Sequence, residues 1–88
     1  MEDAKDWHLL TMVAMNRAKV RTTPFGKPVI ITFYWNDALD VDNHAAMGKC
    51  ITDALKKRVI HNDSRKWLKG VEHYFHDEPY IKVVVREA

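Results

Sequence analysis

Cysteine, glycine and proline are scarce in this chain of 88 residues, which has one cysteine, three glycines and three prolines. The single Cys50 excludes an internal disulfide and any paired-cysteine zinc pattern. So few glycines leave no Gly-rich phosphate loop and no Gly-x-Ser-x-Gly nucleophile turn. The chain also lacks a signal-peptide pattern and any run of about 18 apolar residues, which predicts a soluble, cytoplasmic protein without a membrane segment.

Charge of neither sign dominates. Fourteen lysines and arginines stand against twelve aspartates and glutamates, and the formal net charge is +2. This balance permits an anionic partner but does not require one. An apolar content of 47% is that of a folded globular chain, and the length predicts one domain over residues 1–88.

Hydrophobic periodicity predicts an α+β fold with the element order α-β-α-β-β. The first helix is expected within residues 3–20. Its buried side is expected to carry Trp7, Leu10, Ala14 and Ala18. A loop marked by prolines follows, and Val29–Trp35 (VIITFYW) then has the composition of a buried strand.

The second half of the chain predicts a helix and two further strands. The helix is expected to start near Asp42 and to bury two apolar rows, Ala46/Cys50/Ala54 and Met47/Ile51/Leu55. Residues 71–76 and 80–86 are expected to form an antiparallel hairpin, with Ile81, Val83 and Val85 facing inward. Together these elements predict a small mixed sheet of about three strands, a right-handed strand-helix-strand crossover, and two helices packed against the sheet.

Acidic residues are concentrated where the second helix begins. The stretch Leu39-Asp40-Val41-Asp42-Asn43 opens it, and a step of about 100° per residue returns Lys49 and Asp53 to the azimuth of Asp42. Asp63 follows in the loop after the helix. Crowded carboxylates suit a divalent cation. Two simpler interpretations stay open: Asp42 as a helix cap, and Asp53 with Lys49 or Lys56 as a surface ion pair.

A calcium loop of the EF-hand type is excluded, because its sixth and twelfth positions counted from Asp40 hold Ala45 and Ile51 instead of Gly and Glu. The histidines give no metal pattern either. His73 and His76 point to opposite faces of a strand, and His8 and His44 are isolated in the sequence. His61 lies near Asp63 but is expected to be a solvated loop residue.

Three motifs follow one another in this part of the chain: acid-x-acid-Asn at Asp40–Asn43, then Lys49 with Asp53-Ala54-Leu55, then residues 59–64 (VIHNDS). Their combination resembles the signature of the RusA-like Holliday junction resolvases. The resemblance runs from about Val29 to the end of the chain, with the spacing from Asn43 to Lys49 of the longer, phage-type motif. Members usually open with a strand ahead of the first helix, so this chain is expected to be a short, N-terminally reduced member. Asn62 stands where the family often has an acid.

The resemblance implies a small, dimeric, Mg²⁺-dependent endonuclease (Mn²⁺ as an alternative metal) of a phage or prophage, acting on four-way DNA junctions in recombination and repair. It implies metal ligation by Asp40, Asp42 and Asp63, an essential role for Lys49, and a supporting metal role for Asp53. No organic cofactor is expected. Nearby residues are expected to contact the DNA: Asn43, Lys56, Lys57, Arg58, Arg65, Lys66 and Lys69.

Two other functions stay open, a non-catalytic DNA-binding or regulatory relative and a small protein-interaction module. A homodimer with its Asp40/Asp42/Asp63 sites open to solvent is expected, because a four-way junction offers two symmetry-related strands. A shallow core also has room for only some of the aromatic rings, and exposed rings favour an interface. The rings considered for that interface are Phe33, Tyr34, Trp35, Trp67, Tyr74 and Tyr80.

Overall fold

The structure is a computed structural model that describes residues 4–20, 23–37, 41–56 and 58–88, without the side chains of residues 4, 5 and 41–43. It confirms the α+β class and the element order α-β-α-β-β. Two helices and three strands make up the described fold. They are α1 (Ala4–Ala18), β1 (Val29–Trp35), α2 (Val41–Leu55), β2 (Leu68–Phe75) and β3 (Lys82–Glu87).

The three strands form one mixed sheet in the order β2-β1-β3. β1 pairs in parallel with β2 and antiparallel with β3. The expected hairpin between β2 and β3 is therefore wrong, because β1 lies between them. β1 is the most apolar strand, and the central place lets it hydrogen-bond along both edges and bury one whole face.

The core lies on the face of the sheet that the helices cover. Val29, Ile31, Phe33 and Trp35 alternate along β1 and are all buried on this face. Phe33 and Trp35 are fully buried, so the expectation that they contribute to a dimer interface is wrong for these two rings. The expectation for β3 is confirmed, since Ile81, Val83 and Val85 pack against the same core.

The opposite face of the sheet carries a polar group that joins all three strands. The Thr32 hydroxyl donates to Glu72 Oε1 at 2.7 Å, and the Arg86 guanidinium donates to Thr32 Oγ1 at 3.0 Å. Tyr34 and Tyr74 stack beside this group with ring centroids 5.7 Å apart. This face is the polar side of an alternating strand pattern, as expected for a sheet covered by helices on one side only.

Helix α2 approaches the sheet most closely at Gly48. A Cβ at that position would lie 3.2 Å from the Phe33 ring and 3.3 Å from the His73 ring. Ile51 and Leu55 are buried as expected, but Ala46 is exposed and Cys50 is only half-buried. Ala54 is buried as expected. The Ala46/Cys50/Ala54 row therefore departs from the buried face only at Ala46 and Cys50, near the buried Gly48 and the buried ring of His44.

Helix α1 packs against α2 and buries a stripe that shares only Trp7 with the one expected. Met15 is buried, and Trp7 and Met12 pack partly against the core. By contrast Leu10 is 61% exposed, and Ala14 and Ala18 are exposed. The sequence pattern is ambiguous here because α1 has apolar residues on two sides. Neither helix of the described chain is long and apolar enough to cross a membrane.

Candidate functional site

Four charged side chains meet beside the C-terminal half of α2. The Lys49 ammonium lies 2.8 Å from Asp53 Oδ1 and 3.0 Å from Asp63 Oδ2. The Lys56 ammonium approaches the same two oxygens at 3.2 Å and 3.4 Å. We call Lys49, Asp53, Lys56 and Asp63 the charged cluster. It contains two carboxylates and two ammonium groups, so it is locally neutral.

The loop after α2 brings Asp63 back to the helix. Val59 and Ile60 are buried and hold the start of this loop in the core. The Asn62 side chain then accepts a hydrogen bond from the Ser64 backbone N–H at 2.8 Å, which forms a tight polar turn around Asp63. Asp63 therefore reaches Lys49, fourteen residues earlier in the chain, as part of an anchored turn.

The charges within the cluster stabilise one another. Hydrogen bonds to Asp53 and then to Asp63 raise the pKa of Lys49 above its ordinary value. Hydrogen bonds from Lys49 lower the pKa of both Asp53 and Asp63, against a smaller opposing effect of burial. All three groups are therefore ionised at neutral pH. Because the Lys49 side chain is 59% exposed, solvent screens these interactions and their contribution to stability is small.

The donor set of the cluster fits part of a magnesium site. Asp53 Oδ1 and Asp63 Oδ2 already converge on one cationic atom, Lys49 Nζ. Magnesium takes oxygen ligands at about 2.0–2.1 Å and is commonly held by one or two carboxylates plus waters and substrate oxygens. The two oxygens would have to close by about 1 Å around such an ion. No three His, Cys, Asp or Glu side chains of the described residues lie close enough to hold a metal.

The other predicted ligands fall where the structure gives no side chains. Asp40 and Lys57 lie outside the described residues, and Asp42 and Asn43 are described as backbone in the first turn of α2. Lys49 lies seven residues after position 42, which corresponds to about 10 Å along a helix axis. The convergence of Asp40 and Asp42 with Asp63 therefore stays a prediction, while the meeting of Asp63 with Lys49 and Asp53 is present.

The basic residues predicted to contact DNA have different surroundings. Arg65, Lys66 and Lys69 are exposed in the segment after Asp63, and the Lys66 ammonium lies 5.2 Å from the centre of the Trp67 ring. Arg58 instead donates to Asn16 Oδ1 at 2.8 Å and to the Val20 carbonyl at 3.0 Å, and so fastens the end of α1. Arg58 therefore has a structural role at the end of α1, whether or not it also contacts DNA.

The sequence interpretation missed a buried histidine, His44, which pairs with Asp37 next to the acidic segment. His44 is fully buried, stacks on Trp35 with centroids 4.4 Å apart, and its Nε2 lies 2.7 Å from Asp37 Oδ1. A carboxylate only accepts hydrogen bonds, so Nε2 carries the proton. Nδ1 has no hydrogen-bond partner within the described parts of the chain. The signal was the alternating strand that ends at Trp35, followed two residues later by Asp37.

A second histidine joins the same aromatic group from β2. The Trp35 indole N–H donates to His73 Nδ1 at 3.0 Å, and the His73 ring stacks on Phe33. Burial, and then the nearby charge of His44, lower the pKa of His73. An open cleft of about 290 Å³ between α2 and β2 is lined by His73, Lys49 and Asp63 among other residues. His73 thus connects the aromatic group to the cleft beside the charged cluster.

Comparisons of the chain with protein-family models, with curated proteins and with solved structures give no match.

Proposed function

We propose that this chain is a divalent-metal-dependent endonuclease that hydrolyses phosphodiester bonds in branched DNA, as one subunit of a homodimer. The observation that carries the proposal is the convergence of the Asp53 and Asp63 carboxylates on one cationic atom beside α2. The resolvase-like order of Asp40, Asp42, Lys49, Asp53 and Asp63 supports the same function.

The residues of the cluster suit the chemistry of phosphodiester hydrolysis. Bound Mg²⁺ would supply Lewis acidity and lower the pKa of the attacking water. Asp63 would hold the metal together with Asp40 and Asp42, and Asp53 would support it. The Lys49 ammonium would pair with a phosphate oxygen and would stabilise the negative charge that develops in the transition state. Arg65, Lys66 and Lys69 would hold the DNA backbone.

A second candidate function also has an observation in its favour. Lys49 and Lys56 together neutralise both carboxylates of the cluster. Such a network can simply fasten the Asp63 loop to α2. In that case the chain is a non-catalytic DNA-binding relative or a protein-interaction module, and the cluster is a structural ion network.

The first testable prediction concerns cleavage. With Mg²⁺ and a synthetic four-way junction, the unmodified protein should nick two opposed strands. Lys49→Gln should lower the rate at saturating DNA by about 100-fold, as expected for loss of a transition-state charge partner. Lys56 contacts the same carboxylates, but Lys56→Gln should leave that rate close to the original. Asp42→Asn and Asp63→Asn should abolish nicking while the fold is retained.

The matched control is Asp77→Asn, which removes an exposed acid in the β2–β3 connection and should not change nicking. Circular dichroism and urea midpoints separate loss of activity from loss of fold. Equal effects of Lys49→Gln and Lys56→Gln would contradict the catalytic assignment and favour the structural network. Junction binding without nicking in either Mg²⁺ or Mn²⁺ would favour the non-catalytic DNA-binding relative.

A further inference from the structure

Helix α1 has an exposed apolar side that its packing against α2 leaves uncovered. Leu9 is 62% exposed, Leu10 is 61% exposed and Val13 is 42% exposed. The opposite side of the same helix carries Met15, which is buried in the core. A helix that is apolar on two sides is typically covered on both. The exposed side therefore indicates an interaction surface.

The charges at the two ends of this surface are of opposite sign. Asp6, Leu10, Val13 and Arg17 follow one another at intervals of four, three and four residues, the spacing of a coiled-coil seam. Asp6 is in the first turn and Arg17 in the last turn of α1. Favourable interaction with the helix dipole accounts for the two charges. It does not account for the large apolar side chains exposed between them.

We infer that α1 pairs with the α1 of a second copy of this chain, in antiparallel orientation. A two-fold axis midway between Leu10 and Val13 places Leu10 of each copy against Val13 of the other. The same axis places Asp6 of each copy opposite Arg17 of the other, so that opposite charges meet twice. A parallel pair would set Asp6 against Asp6 and Arg17 against Arg17, and like charges repel. Both the parallel and the antiparallel pair are isologous, and the charge pattern selects the antiparallel one.

This arrangement is compatible with the proposed cleavage site. No residue of the charged cluster lies on α1, so the paired helices do not include it. It makes the expected homodimer specific, but it does not depend on nuclease activity. The surface is small compared with the roughly 800 Å² per partner of a standard interface, so we expect a dimer of micromolar affinity.

The test is sedimentation of the full chain without DNA or metal, so that its result is independent of the nicking assay. The unmodified protein should pass from monomer to dimer between about 1 and 500 µM. Arg17→Asp should raise the dimer dissociation constant on the order of tenfold, because two attractive pairs become repulsive. Asp6→Arg combined with Arg17→Asp should restore the dimer, since the pairs are then reversed in sign.

Leu10→Glu should abolish the dimer, while the matched change Tyr74→Glu, on the exposed side of β2, should leave it intact. The charge-reversal pair keeps the test valid if Leu10→Glu disturbs the fold. A protein that stays monomeric at all these concentrations would overturn the inference. A dimer that Tyr74→Glu breaks and Leu10→Glu does not would also overturn it, and would place the interface at β2.

Discussion

At the level of single residues, the bond between His44 and Asp37 matters because it joins both ends of the acidic segment. Asp37 follows β1 and His44 lies in the first turns of α2, with residues 38–43 between them. His44 is fully buried, whereas the Asp37 side chain is 36% exposed. A buried ring in α2 and a partly solvated carboxylate after β1 thus hold the end of β1 near the start of α2.

Removing this bond should therefore cost stability. Asp37→Ala leaves the buried His44 Nε2 without its acceptor, and we expect a loss of about 1–3 kcal/mol in the free energy of unfolding. Asp37→Asn keeps an acceptor oxygen and should lose less. Urea denaturation at neutral pH measures both, with Asp77→Ala as the control for removal of an exposed acid. If the Asp37→Ala variant were as stable as the unmodified protein, the bond would not anchor the end of β1 to α2.

Not all of the site could be predicted at the residue scale. Lys49 and Asp53 follow from helical periodicity, which places them four residues apart on one side of α2. The approach of Asp63 to Lys49 depends on the burial of Val59 and Ile60. That burial is a tertiary effect, and the sequence indicates it only by placing these two apolar residues side by side. The burial of His44 was missed, because the strand that ends at Trp35 indicates it only once the His44 ring is known to stack on Trp35.

At the level of elements, the contact between α2 and the sheet is set by the missing side chain of Gly48. A methyl group there would stand 3.2–3.3 Å from the rings of Phe33 and His73. Gly48→Ala gains up to about 1 kcal/mol of helix propensity. Overpacking of a buried contact costs about 1–3 kcal/mol. The Phe33 ring is fully buried and has little room to move.

We therefore expect Gly48→Ala to destabilise the fold by about 1 kcal/mol, since the overpacking exceeds the gain in propensity. The matched control is Gly70→Ala, because a Cβ at Gly70 would meet no atom within 4 Å. Thermal unfolding of the two variants gives the comparison. A Gly48→Ala protein more stable than the original would mean that α2 can move away from the sheet without loss of packing.

The elements themselves were well predicted, and their arrangement less well. The apolar run VIITFYW matches β1 at both ends, because its strand composition, Pro28 before it and the polar Asn36-Asp37 after it are local signals. The predicted hairpin was wrong because the turn at Asp77-Glu78-Pro79 is equally compatible with a connection that passes across the end of β1. Strand order depends on which strand gains most stability from pairing on both edges, and that is a property of the whole sheet.

At the level of the whole molecule, the lowered pKa values of one histidine and three carboxylates make stability fall on acidification. The pKa of His73 is lowered in the fold, mainly by burial. The pKa values of Asp53 and Asp63 are lowered mainly by Lys49, and that of Glu72 is lowered mainly by its hydrogen bond from Thr32. Each of these groups binds a proton more readily in the unfolded chain. The unfolded state therefore takes up more protons on acidification, and stability falls.

The fall should come in two separate steps. Above about pH 6.5 the stabilisation due to neutral His73 is complete, and it is lost as the pH drops from there through the lowered pKa of the folded state. The carboxylates contribute fully above about pH 4, and their contribution is lost below it. The raised pKa of Lys49 acts at the other end, because its stabilisation is lost only when the pH rises through that raised value.

Urea midpoints measured from pH 8 to pH 2 should show both steps. His73→Gln keeps an acceptor for the Trp35 indole N–H but does not titrate, so it should remove the upper step and leave the lower one. Asp63→Asn should reduce only the lower step, because the asparagine side chain does not ionise and pairs weakly with Lys49. If His73→Gln retained the upper step, another group would be responsible for it. The aromatic group beside the charged cluster would then not be the first part of the fold to lose stability on acidification.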